Sequence, residues 1–275
     1  MAGKTEREVL VNGLPFHTAS EGAGFPVLLI MGLGAPGDKW APTVAGLRDD
    51  FRCLTFDNRG AGRSWKPEMP AYSTDEMAED AAGVLDALGI ERAAVVGTSM
   101  GGAIAQKLAL RHPERVQALV LTSTYASVSF TFRRAIESLC GSIDKLDRET
   151  FKHLNQWMSF SHTFQNAHPE ALAAAEAEDF AYPYPMPVYA FKAQCAACLT
   201  HDTAAELSEI TAPTLVAAGG EDLYMTAEKT RELADGIPNS RLYWCEQGGH
   251  VHQWEQADAY NAAVRAFLKE HCPAR

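Results

Sequence analysis

The chain has 275 residues, 47% of them hydrophobic and 21% charged, which is enough apolar material for a sizeable core in one or two domains. A formal net charge of -11 repels polyanions and argues against nucleic acid as a partner. No apolar run reaches the length of a membrane span or of a signal peptide, so the expectation is a cytoplasmic protein with its six cysteines as free thiols.

In chain order, residues 6–11 and 15–20 alternate around Asn12-Gly13, a hairpin signal. The apolar runs "PVLLIMG" (26–32) and "RCLTFD" (52–57) read as buried strands. Residues 74–88 place Met77, Ala81, Val84, Leu85 and Leu88 on one helical face, with Ser73 and Glu76 at capping-box spacing. A strand at 93–97 ("AAVVG") leads directly into a helix over 100–111, which "RHPE" ends at Pro113. Another strand follows at 116–123. From Tyr125 to Leu207, helical stretches rich in aromatics and Met succeed one another with no strand between them, the pattern of a helical cap. Strands at 213–220 and 240–246 and a helix over 254–270 complete the chain. Buried strands alternating with amphipathic helices predict an α/β fold with a mostly parallel sheet. The core domain is expected at 1–124 and 208–275, and the cap at 125–207.

Within the cap, Cys195 and Cys198 form a C-x-x-C. No second cysteine pair or histidine in metal spacing accompanies it. It also lies within a helical segment, not just after a strand, so neither zinc nor redox chemistry is expected. No metal or cofactor is expected elsewhere.

Gly97-Thr98-Ser99-Met100-Gly101 is a G-x-S-x-G placed between a buried strand and a helix. Such a turn strains the serine and demands nearly side-chain-free neighbours two residues either side. It also sets Ser99 at a helix N-terminus, where developing negative charge is favoured. A serine needs a base, and the base needs an orienting carboxylate, both from loops after later strands. Asp222 follows Gly219 in G-x-x-D spacing after the strand 213–218, with Glu221 as its rival. His250 follows two glycines after the last strand, ahead of His252. The order Ser99, Asp222, His250 is that of an α/β-hydrolase triad. The backbone N–H groups of Met100 and Leu33 are the expected oxyanion donors, Gly32 and Gly34 letting that backbone approach.

The segments "LLIMGLG", "FDNRGAGRS", "VVGTSMGGAIAQKLALRHPERVQALVL", "APTLVAAGGEDLYMT" and "EQGGHVHQWEQADAYNAAVRAFL" together resemble the α/β-hydrolase fold. Within it, the chain is similar to the small esterases and lactonases that include 3-oxoadipate enol-lactonases. The resemblance implies that Asp57 and Arg59 are structural. It departs at Met31-Gly32, where many members carry His-Gly. Serine at 99 argues against the dehalogenases and epoxide hydrolases of this fold, which use aspartate there. The expected activity is hydrolysis of a small apolar or aromatic ester or lactone through an acyl-enzyme. Carbon–carbon bond cleavage, a lyase step or cofactor-free perhydrolysis on the same triad are alternatives, as is, from another class, a small-molecule receptor with an idle triad. The expected partner is that small-molecule ester or lactone, and a homodimer is compatible with the chain.

Overall fold

The computed structural model describes residues 3–273. Its strands are β1 (Thr5–Val11), β2 (Leu14–Glu21), β3 (Phe25–Ile30), β4 (Phe51–Phe56), β5 (Ala93–Thr98), β6 (Val116–Thr122), β7 (Thr214–Gly219) and β8 (Ser240–Cys245). They form one sheet in the order β1-β2-β4-β3-β5-β6-β7-β8. The pairings of β1 with β2 and of β2 with β4 are antiparallel, and every pairing from β4 through β3 to β8 is parallel. The chain begins its parallel part in the middle of the sheet and adds strands outward on both sides of β3, so loops diverge there at the carboxyl ends. Ligands bind at such points in open α/β sheets.

The helices are α1 (Ala41–Leu47), α2 (Thr74–Ala87), α3 (Met100–Arg111), α4 (Phe130–Ser142), α5 (Arg148–Ser159), α6 (His162–Ala167), α7 (Pro169–Ala181), α8 (Val188–Thr200), α9 (Ala227–Gly236), α10 (His252–Glu255) and α11 (Ala257–His271). Successive residues of a strand face opposite sides, and the central strands feed two cores. Val95 packs with Met77 and Leu85 of α2 and Ile104 of α3. Val96 packs on the other face with Val264 and Phe267 of α11. All six residues of β5 are therefore buried, which is why this strand reads as a continuous apolar run rather than an alternating one. β8 differs from the buried strand expected from its sequence. It is an edge strand, with Leu242 and Trp244 exposed. The expected capping box of α2 forms, with Ser73 and Glu76 each satisfying the other's backbone N–H.

Five helices, α4 to α8, lie between β6 and β7. The long loop after β4 is pinned by two buried side chains. Asp57 accepts hydrogen bonds from the Gly37 N–H (2.7 Å) and the Arg63 N–H (2.8 Å). Arg59 forms a bidentate pair with Asp80 of α2, at 2.6 and 2.9 Å. These contacts are scaffold contacts.

Candidate active site

Ser99 stands between β5 and α3 with φ 54° and ψ -121°, a conformation that costs free energy for any residue with a side chain. Its neighbours explain how the chain holds it there. A Cβ on Gly97 would collide with the Gly101 carbonyl, and one on Gly101 with the Ile30 carbonyl. Only glycine lets the strand, the turn and the helix approach this closely. The Ser99 backbone is tied down further: its N–H donates to the Thr122 carbonyl (2.9 Å), and its carbonyl accepts from Thr124 Oγ1 (2.7 Å).

Asp222 and His250 come from the loops after β7 and β8. The imidazole Nδ1 lies 2.9 Å from Asp222 Oδ2 and 3.1 Å from Oδ1. The Asp222 side chain is fully buried. Its Oδ1 also accepts the N–H groups of Tyr224 (2.8 Å) and Met225 (2.9 Å), so the carboxylate is compensated and fixed in place. The Tyr224 ring packs on the imidazole at 4.7 Å between centroids. With Nδ1 held by the acid, Nε2 is the nitrogen left for a reacting group. Ser99 and His250 line the same cavity. No hydrogen bond joins their side chains in this state, and such contacts commonly tighten only around a substrate.

The rivals occupy other positions. Glu221 turns to the cap, accepting from the Thr163 N–H (3.1 Å) and hydroxyl (2.6 Å) and pairing with His162 (2.7 Å). His252 is buried with its Nδ1 beside Ser123 Oγ (3.2 Å), and burial pushes its pKa down to about 4. His201 is likewise buried in the core, 3.0 Å from Thr74 Oγ1. Burial pushes the Cys198 thiol up to about 12 and the Cys195 thiol higher still, far from thiolate chemistry at neutral pH. Among the described residues, the one grouping of metal-ligating side chains is Glu149, His153 and Glu176 in the cap, and none of them lines the cavity.

The loop after β3 passes directly beside Ser99. A Cβ on Gly32 would lie 3.2 Å from the Ser99 Cβ. Among the described residues, no protein group accepts from the Leu33 or Met100 N–H. Above them lies a cavity of about 1080 Å³ between the sheet's carboxyl ends and the cap. Phe132, Phe151, Phe160, Phe164, Phe191 and Trp254 give it an apolar wall. At its rim, Asp179 of α7 bridges Lys39 of the core (2.5 Å) and Lys152 of α5.

Sequence reasoning missed several neighbours of the site. Gln253 donates to Thr98 Oγ1 (3.3 Å) beside the nucleophile turn. Glu255 accepts from the Gly249 N–H (3.0 Å) and from the Ser161 N–H and hydroxyl (2.8 Å each), binding the loop of His250 to the cap. Gln194 of α8 reaches the loop after β3. The signal available was an uncharged polar residue set among Ala and Cys in the helical segment "AFKAQCAAC".

Residues 26–257 match the model of the alpha/beta hydrolase fold family. A 2-hydroxymuconate semialdehyde hydrolase of Pseudomonas putida is 34% identical, over 96% of this chain and 94% of its own. A Caulobacter vibrioides protein named for carbamate hydrolysis is 32% identical, over 88% of this chain and 90% of its own. Among solved structures, the enol-lactonase of Burkholderia xenovorans superposes with a TM-score of 0.86 at 28% identity, over 96% of this chain and all of that one. With its matching sheet, helices and relatives, the chain belongs to the alpha/beta hydrolase fold family.

Proposed function

We propose that the protein is a serine hydrolase that cleaves a carboxylic ester or lactone through an acyl-enzyme. Ser99 Oγ attacks the substrate carbonyl while His250 Nε2 takes its proton, and Asp222 holds the Nδ1–H and stabilises the imidazolium that forms. The Leu33 and Met100 N–H groups receive the oxyanion, supported by the N-terminus of α3. His250 then protonates the leaving alkoxide. A water, deprotonated by the same ring, attacks the acyl-enzyme, and the acid departs as Ser99 regains its proton. The observation that carries this reading is the buried Asp222–His250 pair at 2.9 Å, on the same cavity as a serine at φ 54°.

The cavity bears on the substrate. At about 1080 Å³ it reaches the upper end of the range of small-molecule sites, about 300–1,000 Å³. Its phenylalanine wall suits an acyl or aryl group larger than acetate. The ligand is a small molecule, with no role for a membrane or nucleic acid. A fluorophosphonate adduct on Ser99 that Ser99→Ala abolishes, together with turnover of p-nitrophenyl esters or lactones, is the expected result. An unreactive serine in folded protein would favour a receptor. One observation favours a second reading: the 34% identical relative is named a 2-hydroxymuconate semialdehyde hydrolase. Carbon–carbon hydrolysis on the same three residues is therefore tested beside the esters with a vinylogous β-diketone acid, and faster turnover of that compound would displace the ester reading.

A further inference from the structure

Gln194 is fully buried on α8. Its neighbours on the buried face of that helix are Ala190, Phe191, Ala193, Cys195, Ala197 and Cys198. An amide in such surroundings is costly unless both of its ends are satisfied, and here both are. Oε1 accepts from the Gly34 N–H at 2.9 Å, and Nε2 donates to the Arg59 carbonyl at 2.8 Å. The two partners fix the amide's orientation, since one offers only a donor and the other only an acceptor. Gln194 thus joins the loop after β3 to the loop after β4, which is itself anchored by the buried Arg59–Asp80 pair. Within the loop after β3, the hydrogen bond nearest to Gly34 is from the Ala35 N–H to the Gly32 carbonyl, at a long 3.5 Å. The Phe191 ring, one turn earlier on α8, sits against Gly34, within 3.1 Å of where a Cβ would be. Leu33, the residue before Gly34, carries the N–H assigned above to the oxyanion.

We propose that Gln194 is a positioning residue for acyl transfer: through Gly34 it holds the Leu33 N–H at the place where the oxyanion develops, making a cap helix part of the oxyanion hole's support. The inference rests on the acyl-transfer reading. A stray donor loses its effect quickly, because a misplacement of about 1 Å can cost about 10²-fold and outright loss of an oxyanion donor about 10²- to 10³-fold.

The test compares wild type with Gln194→Leu, which deletes both hydrogen bonds at similar volume, and Gln194→Asn, which keeps an amide one methylene short. With p-nitrophenyl butyrate, kcat is expected to fall about 10- to 100-fold while KM stays within about twofold, the split produced by losing a contact made only in the transition state. The acid limb of the kcat/KM pH profile should not move, because the Asp222–His250 pair is untouched. Independently of activity, the Gly34 amide should exchange its hydrogen about tenfold faster or more in both variants. A folded Leu variant whose kcat stays within about threefold of wild type, a raised KM at constant kcat, or unchanged Gly34 exchange would each overturn the proposal. So would failure of both variants to fold, which would make Gln194 a folding determinant. A wild type that neither turns over esters nor takes a fluorophosphonate defeats the acyl-transfer reading instead. Gly34 exchange then decides alone whether Gln194 holds the loop.

Discussion

Ser99 keeps its strained backbone because Gly97, Gly101, Thr122 and Thr124 leave it no alternative. Gly101→Ala pushes a methyl into the Ile30 carbonyl, and backbone yields less readily than a side chain. The expected outcome is a loss of about 1–3 kcal/mol or more, read as a lower melting temperature, together with loss of fluorophosphonate labelling. The choice of acid is equally open to test. Asp222→Asn is expected to lower kcat by roughly 10⁴ by leaving His250 in the wrong tautomer. Glu221→Gln, whose side-chain polar partners among the described residues are Thr163 and His162, is expected to stay within about tenfold of wild type. Steady-state kinetics on both variants checks the pair. That Ser99, Asp222 and His250 would come together at one end of the sheet was legible in the sequence because each sits after a strand, and glycines mark all three loops. Gln194, Gln253 and Tyr224 were not. A polar residue on a helix reads as solvent-facing until its partner is known, and that partner lies far away in the chain, 160 positions off for Gln194 and Gly34.

Strands and helices were legible to different degrees, for reasons of length and burial. β5 and α3 announced themselves because all or nearly all of their residues are buried. α1 escaped because seven residues are too few to display a helical period. α9 escaped because it buries only Thr230 and Leu233 among polar neighbours. β8 was found, but its place at the sheet edge was not, since an aromatic-rich strand reads alike in either position. The same limit applies to the loop after β4. The family resemblance marks Arg59 as structural, but nothing in the sequence names its partner: it is 8% exposed and shares a bidentate contact with the similarly buried Asp80. Asp80→Asn leaves the buried guanidinium with only the half-exposed Glu76 carboxylate, 3.6 Å away, as counter-charge. With that partial compensation the expected cost is at the low end of about 3–5 kcal/mol, measurable by urea unfolding, and activity should fall with it because the Arg59 carbonyl supports Gln194.

Stability of the molecule as a whole should respond to acid through its buried imidazoles. Burial pushes His201 down to about 3 and His252 to about 4, from the usual 6.5. Each binds its proton in the unfolded chain before it does so in the folded one. Their contribution is therefore complete above about pH 6.5 and is lost progressively as the pH falls towards 4 for His252 and 3 for His201. The urea midpoint is expected to drop across that window, and His201→Gln should flatten the drop. A midpoint indifferent to pH between 6 and 4, in a chain with both rings intact, would contradict this.

His250 belongs to the loop after β8, the last strand to be synthesised, and α11, which roofs one core, comes later still. The imidazole proposed as the base of Ser99 therefore lies more than a hundred residues downstream of the serine turn, next to the helix that covers one face of the sheet. A chain that stops short of position 250 carries the Ser99 turn without the proposed base, and a sheet whose second face keeps α1 but lacks α11. The proposed base and the helix that helps close the core thus come from one stretch of chain, residues 250–271.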